Sequence, residues 1–156
     1  MRFYTGVHDR KVNAFLHECW TRRLAQFKWE GIVTFHRTLK YADEDVQLSD
    51  GTTKTVHVAR EKGIDIRIAL DVVRLARHDG FDVALLFSQD QDMSEAVAEV
   101  KSISQDLGRW IKLASAYPTG AKNPRGIDGT DWITFDKAVY DRCLDPRDYR
   151  PRQSGR

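Results

Sequence analysis

The sequence predicts an α/β fold in which a mainly parallel central sheet has helices on both faces. The first observation is that β-rich segments and amphipathic helical segments alternate along the chain, as they do in folds built from parallel strands. The second is DVALLFS, a nearly continuous apolar run that is typical of a strand covered on both faces. The third is the length of 156 residues, which suffices for one domain with a substantial core.

In the first half of the chain, RFYTGV predicts a strand because it is β-branched and aromatic. The next segment has apolar residues at helical spacing and predicts a helix that ends at Gly31. Asp9 or Asn13 is expected to cap this helix. IVTFHRTL predicts a second strand, and Asp50-Gly51 predicts the turn of a β-hairpin.

In the second half, IDIRIALDVVRLARHDG predicts an amphipathic helix that stops at Gly80. DVALLFS follows, then a helix from Ser94 to about Leu107. The next predicted elements are the strand WIKLASA and a loop rich in Gly and Pro. The last are the strand DWITFD and a helical turn or two from Lys137. The four tryptophans are expected in the core.

Composition excludes several classes of protein. Hydrophobic residues make up 41% and charged residues 31%, and no stretch approaches the ~20 apolar residues that a membrane span requires. The N-terminus lacks the pattern of a secretory signal, and no glycine-rich phosphate loop is present. The two cysteines have no metal-ligand spacing, so we expect a cytoplasmic protein without a membrane partner.

The C-terminal residues are locally basic although the net charge is only +2. The segment 142–156 carries five arginines against two aspartates, and prolines interrupt it. We therefore expect a domain over residues 1–144 and a flexible Arg/Pro tail over 145–156. Arg147, Arg150 and Arg152 are weak candidates for contacts with RNA phosphates, since most such tails are simply solvated.

The motif FSQDQDM places two carboxylates, Asp90 and Asp92, where a strand ends. Ligands of open parallel sheets bind outside the carboxyl ends of the strands, and paired carboxylates favour a hard divalent cation. Asp92 equally fits a helix cap with Glu95 three residues later, although a cap does not explain Asp90. The residues alone leave both interpretations open.

A second group of charged residues occurs in REKGIDIR, where a strand meets a helix. Asp65 lies in the first helical turn, where the helix dipole favours an acid with or without a ligand. Glu61 and Lys62 can equally be solvated. Asp71 is a weaker candidate for the site, because two flanking arginines at helical spacing can pair with it on the surface.

These motifs together resemble the NYN domain, specifically its LabA-like branch within the PIN-like nuclease superfamily. The family pattern is a KGxD motif that opens a helix, followed by an apolar strand that ends in SxDxD. The matching residues are Lys62, Gly63, Asp65, Ser88, Asp90 and Asp92. RFYTG, GTDWI and DPRDYRP extend the resemblance over nearly the whole chain, and it implies a PIN-like three-layer α/β/α sandwich.

The resemblance further implies a Mg²⁺- or Mn²⁺-dependent ribonuclease that hydrolyses RNA phosphodiester bonds. Asp65, Asp90 and Asp92 would then be its metal ligands and catalytic residues. Ser88 would orient them by hydrogen bonding, and Lys62 would face a phosphate. Glu61 and Asp71 complete the supporting residues.

The chain departs from the family at its start. The family's first strand carries an aspartate in a DGxN-like motif and is followed by a helix, whereas RFYTGVHD resembles the second strand. The expected domain is therefore N-terminally incomplete. Its strands would either keep unpaired edges or pair RFYTGV with DVALLFS, and exposed edges would favour a homo-oligomer.

Three functions are thus in competition. The first is the metal-dependent ribonuclease, and the second is a catalytically impaired RNA-binding module of the same fold, which the absent first-strand aspartate favours. The third is an acidic-site domain of Toprim-like or phosphatase-like fold, which does not require a KGxD motif before the SxDxD strand.

Overall fold

The computed structural model describes residues 1–151, in which helices and strands alternate as predicted. Its helices are α1 (Ala14–Trp29), α2 (Ile64–Arg77), α3 (Ser94–Asp106) and α4 (Lys137–Arg142). Its strands are β1 (Arg2–Val7), β2 (Val33–Thr38), β3 (Lys40–Gln47), β4 (Thr53–Arg60), β5 (Val83–Leu86), β6 (Lys112–Pro118) and β7 (Asp131–Phe135). Every helix within residues 1–151 is too short or too polar to span a bilayer.

The chain forms two compact units, the first of which comprises Met1–Ile64 and the described residues from Arg147 onward. In this unit β1 pairs with β2 in parallel. Asn13 caps α1, because its side-chain oxygen accepts the N–H of Leu16 at 2.9 Å, which settles the choice between the two predicted caps. The Phe3 ring of β1 packs on α1, where it meets the ring of Phe27 edge-on at a centroid distance of 5.0 Å.

Strands β3 and β4 form the predicted antiparallel hairpin in the first unit. Gly51 has a φ of +82°, a left-handed conformation that glycine adopts at little cost, and this explains its place in the turn. The Asp50 carboxylate accepts hydrogen bonds from the Thr52 hydroxyl and backbone N–H, at 2.6 and 2.9 Å. These bonds, the hydroxyl bond first, lower the pKa of Asp50.

The second unit, Asp65–Pro146, contains a parallel sheet in the order β5-β6-β7. Helices α2 and α3 pack against this sheet, and with the loop before β7 they form the core. The buried core residues are Val72, Ala76, Met93, Val97, Val100, Ile103, Leu113 and Ile127. Ala84 and Leu86 of β5 pack against the same cluster, so one face of β5 is directed to the core.

The other face of β5 is exposed. Val83 and Leu85 are 55% and 44% accessible, and Phe87, just after the strand, is 73% accessible. The prediction that DVALLFS is covered on both faces is therefore wrong. An apolar run reports the hydrophobicity of a strand, whereas cover on the second face depends on other parts of the chain.

The seven strands of residues 1–151 fall into three sheets, β1-β2, β3-β4 and β5-β6-β7. The α/β architecture with parallel strands is confirmed, whereas one central sheet is not. Within the described residues β1 pairs only with β2, and β5 pairs only with β6. The expected alternative in which RFYTGV pairs with DVALLFS does not occur, and each of these strands keeps an edge without a strand partner.

Candidate acidic site

The two aspartates of FSQDQDM lie in one short turn after β5. The turn is a 3-10 helix over Gln91–Met93, and Asp90 is its N-cap. The Asp90 carboxylate accepts the N–H of Asp92 at 3.0 Å, and the Ser88 hydroxyl accepts the N–H of Asp90 at 3.1 Å. Both aspartates are exposed. Ser88 thus holds the backbone of Asp90, and Asp90 holds the backbone of Asp92.

The interpretation of Asp92 as a helix cap is wrong, because the capping carboxylate is that of Asp90. Helix α3 begins with Met93 in the N-cap position and has no side-chain cap bond. The physical reason is the 3-10 turn, which satisfies backbone groups between the strand and the helix and moves the cap toward the strand. Within residues 1–151 the Asp92 carboxylate accepts no hydrogen bond, so its oxygens remain available to a ligand.

Two further residues of this motif, Gln89 and Gln91, make contacts that the sequence did not predict. The Gln89 amide donates to the carbonyls of Asn123 and Arg125, at 2.6 and 2.8 Å, and the Gln91 amide donates to the carbonyl of Gly126 at 2.8 Å. Both glutamines therefore fix the loop between β6 and β7. Their partners lie 34 to 36 residues further along the chain, so no local pattern of the motif could identify them.

Asp65 lies in the first turn of α2, as predicted, and is exposed. Gly63 has a φ of +75°, so the KGxD spacing provides a left-handed residue just before the helix. Within residues 1–151 no hydrogen bond or ion pair joins Asp65 to the other two aspartates. No three His, Cys, Asp or Glu side chains in this range are arranged to hold a metal ion. The structure thus brings Asp90 and Asp92 together, and a site shared with Asp65 stays a prediction.

Glu61, a predicted supporting residue, makes a backbone contact in the first unit. Its carboxylate accepts the N–H of Gly6 in β1 at 2.5 Å. A side chain at Gly6 would contact this carboxylate and the Leu39 side chain, and both would have to shift to make room for it. Lys62, the next residue, is exposed.

Asp71 is paired with arginines, as predicted, but its carboxylate is buried, whereas both arginine side chains are exposed. Its carboxylate lies 3.0 Å from the Arg67 guanidinium and 3.4 Å from that of Arg74, and Asp71 is only 3% accessible. A buried carboxylate requires such partners. These residues line an open surface groove along α2, and none of the residues Asp65, Asp90 and Asp92 lines it.

The arginines of the C-terminal segment have acidic partners. Arg147 lies 2.7 Å from the Glu30 carboxylate, and Arg150 lies 2.7 Å from that of Asp148. Hydrogen bonds from Arg150 lower the pKa of Asp148 to about 2. Arg152 lies outside the described residues. Any contact of Arg147 or Arg150 with RNA would therefore compete with an existing ion pair.

Comparison with curated proteins found no match, and comparison with solved structures found none. The family model of the NYN domain matches residues 9–115, which is more than half of the chain. The matched range runs from the segment before α1 into β6 and includes both KGID and SQDQD. NYN domains are generally nuclease domains, which agrees with exposed carboxylates at the carboxyl end of a parallel strand. The chain therefore belongs to the NYN domain family and has a nuclease-type α/β domain.

Proposed function

We propose that this protein is a divalent-metal-dependent ribonuclease that hydrolyses RNA phosphodiester bonds. The observation that carries the proposal is the exposed turn after β5, with Asp90 and Asp92, in a chain of the NYN family. Ligands of open parallel sheets bind at this end of the strands. Two exposed carboxylates repel an RNA phosphate unless a cation lies between them, so the turn suits a metal-dependent reaction better than a metal-free one.

The donors present fit Mg²⁺ or Mn²⁺. Magnesium is usually held by one or two carboxylates together with waters and substrate phosphates, rather than by a closed protein cage. Asp90 uses one carboxylate oxygen on the N–H of Asp92, and the other oxygen and the Asp92 carboxylate remain available. When bound, the cation makes water nucleophilic near neutral pH and neutralises charge on the phosphodiester.

The chain's own residues position this site. The Ser88 hydroxyl accepts the backbone N–H of Asp90, so it would fix the position of a metal ligand by a hydrogen bond, as neighbouring residues of metal ligands commonly do. We assign Asp65 as a third carboxylate and Lys62 as a phosphate contact, and the NYN match includes both. The assignment to the LabA-like branch and to a three-layer PIN-like sandwich belongs to the same proposal.

The test is cleavage of a labelled single-stranded RNA with Mn²⁺, with Mg²⁺ and with EDTA. Asp90→Asn, Asp92→Asn and Asp65→Asn should each abolish Mn²⁺-dependent cleavage. Asp106→Asn is the matched control, because Asp106 is an exposed carboxylate at the far end of α3. Millimolar Mn²⁺ should also raise the melting temperature of the parent protein but not that of Asp90→Asn. Cleavage that persists in EDTA would refute metal dependence.

An RNA-binding module with impaired catalysis is the second candidate. It is favoured by the finding that no three acidic or metal-ligating side chains within residues 1–151 are gathered around one position. The two candidates differ in one result. A module binds the labelled RNA and leaves it intact at every Mn²⁺ concentration, whereas the ribonuclease binds and cleaves it.

A further inference from the structure

The loop between β6 and β7 is attached to the acidic motif through its backbone. Four successive carbonyls, those of residues 123 to 126, accept side-chain hydrogen bonds. Gln89 donates to the first and third, Tyr117 to the second at 3.4 Å and Gln91 to the fourth. The next residue, Ile127, is completely buried, and its N–H donates to the Ser115 hydroxyl at 3.0 Å. The loop backbone is therefore fixed by hydrogen bonds from neighbouring side chains and by the buried Ile127.

The side chains of this loop include two exposed cations, Lys122 and Arg125. Arg125 donates to the Asp128 carboxylate, with Nε at 3.2 Å from Oδ1, and the N–H of Asp128 donates to Gln91 Oε1 at 3.2 Å. Gln91 thus holds the residue that orients the Arg125 guanidinium. Lys122 forms no ion pair within residues 1–151, so its ammonium group is available to a ligand.

We propose that the 122–128 loop (Lys122 to Asp128) binds the phosphate backbone of the RNA strand. Lys122 and Arg125 are the phosphate contacts, and Arg125 acts through its Nη1 group, because Nε and Nη2 bind Asp128. Gln89 and Gln91 are positioning residues that act through the loop. The inference rests on the proposed ribonuclease function. RNA that approaches the two aspartates is repelled, and cations fixed to the same motif offset that repulsion. Guanidinium and ammonium groups are the usual phosphate partners, and a held loop loses little entropy on binding.

The site can be tested by the affinity of a fluorescent single-stranded RNA, measured by anisotropy in EDTA over a range of salt concentrations. Lys122→Ala and Arg125→Ala should each weaken binding roughly three- to tenfold. Each should also reduce the slope of log affinity against log salt by about 0.7, the value for one contact to a single strand. Lys137→Ala is the matched control, because Lys137 is an exposed lysine of α4 in the same unit. It should leave affinity and slope unchanged.

The positioning role predicts coupling between two residues. Because Gln91 acts on Arg125 through Asp128 and also holds the loop backbone at Gly126, the double variant Gln91→Ala/Arg125→Ala should lose less affinity than the sum of the two single losses. With Mn²⁺, the lysine and arginine variants should raise KM and leave kcat nearly unchanged. Both are exposed substitutions, so their melting temperatures should equal that of the parent protein.

Two results would overturn the inference. Parental affinity and salt slope in both Lys122→Ala and Arg125→Ala, with cleavage intact, would remove the loop from the RNA site and leave the ribonuclease proposal standing. Failure of the parent protein to bind or cleave RNA under either condition would overturn both proposals.

Discussion

Asp90 and Asp92 are separated by one residue and have different structural tasks. Asp90 caps the 3-10 turn through the N–H of Asp92, whereas the Asp92 carboxylate makes no such bond within residues 1–151. Asp90→Ala should therefore lower the free energy of unfolding by about 1 kcal/mol, the usual cost of a lost cap. Asp90→Asn should leave it nearly unchanged, since an amide oxygen also accepts the N–H.

Urea denaturation measures this difference, with Asp92→Ala as the matched control that removes a carboxylate but no cap. Equal unfolding free energies for Asp90→Ala and Asp90→Asn would contradict the capping role. Cleavage should behave differently from stability, because Asp90→Asn keeps the cap and loses the charge that a cation requires. The two assays together separate the structural task of Asp90 from its proposed chemical one.

The Asp148–Arg150 pair provides a test of the C-terminal segment by titration. Hydrogen bonds from Arg150 hold the pKa of Asp148 at about 2, below its ordinary value of 3.8. The ion pair is therefore fully formed at pH values above the ordinary pKa of 3.8. It is lost as the pH falls toward about 2, where the Asp148 carboxylate becomes protonated. An NMR titration should give this low pKa, and Arg150→Ala should return it toward 3.8. A parent value already at 3.8 would show that the pair does not form in solution.

At the scale of elements, the loop before β7 depends on one buried anchor. Ile127 is completely inaccessible and belongs to the core of the second unit. Ile127→Ala should lower the free energy of unfolding by about 2–5 kcal/mol, and Ile127→Val by about 1 kcal/mol. Val139→Ala on the exposed surface of α4 is the control and should cost far less. If Ile127→Ala lowers the free energy of unfolding by less than Val139→Ala does, the Ile127 side chain does not anchor the loop.

Local signals predicted most elements, because their causes lie within a few residues. Asn13 caps α1 from three residues away, and Asp50-Gly51 makes its own turn. The exposure of apolar residues could not be predicted in this way. Trp29, Trp110 and Trp132 are at least half exposed, although the core was expected for all four tryptophans. They lie at the end of a helix, before a strand and near the start of another strand, where cover depends on distant elements.

The candidate site shows the same division between local and distant causes. The sequence predicted that a strand ends just before Asp90 and Asp92, and the structure places both aspartates in the turn that follows β5. The 3-10 turn was not predicted, because a cap signal does not specify which kind of turn follows. The contacts of Gln89 span at least 34 residues of sequence, and no local pattern identifies the partner loop.

At the scale of the molecule, β5 offers both an edge without a strand partner and an exposed apolar face within the described residues. No charged residue lies within Val83–Leu86 to discourage pairing with another chain. We expect concentration-dependent self-association, seen as elution earlier than a monomer in size-exclusion chromatography. Leu85→Lys should shift the protein toward the monomer, whereas Leu107→Lys, an exposed leucine at the end of α3, should not. A protein that elutes as a monomer at every concentration would refute self-association through the edge of β5.

The division of the chain into units has a mechanical consequence. The chain leaves the first unit after Ile64 and returns to it at Arg147, so both described ends belong to that unit. The returning segment is held to α1 by the Arg147–Glu30 pair and by Tyr149, whose ring lies 5.8 Å from the Arg23 guanidinium. A force that pulls the described ends apart loads these contacts, together with the hydrogen bond from Arg22 to the Arg150 carbonyl, before it loads the chain between residues 64 and 147. We expect the segment to detach first, so that only then does tension reach the inserted residues 65–146 and their acidic turn.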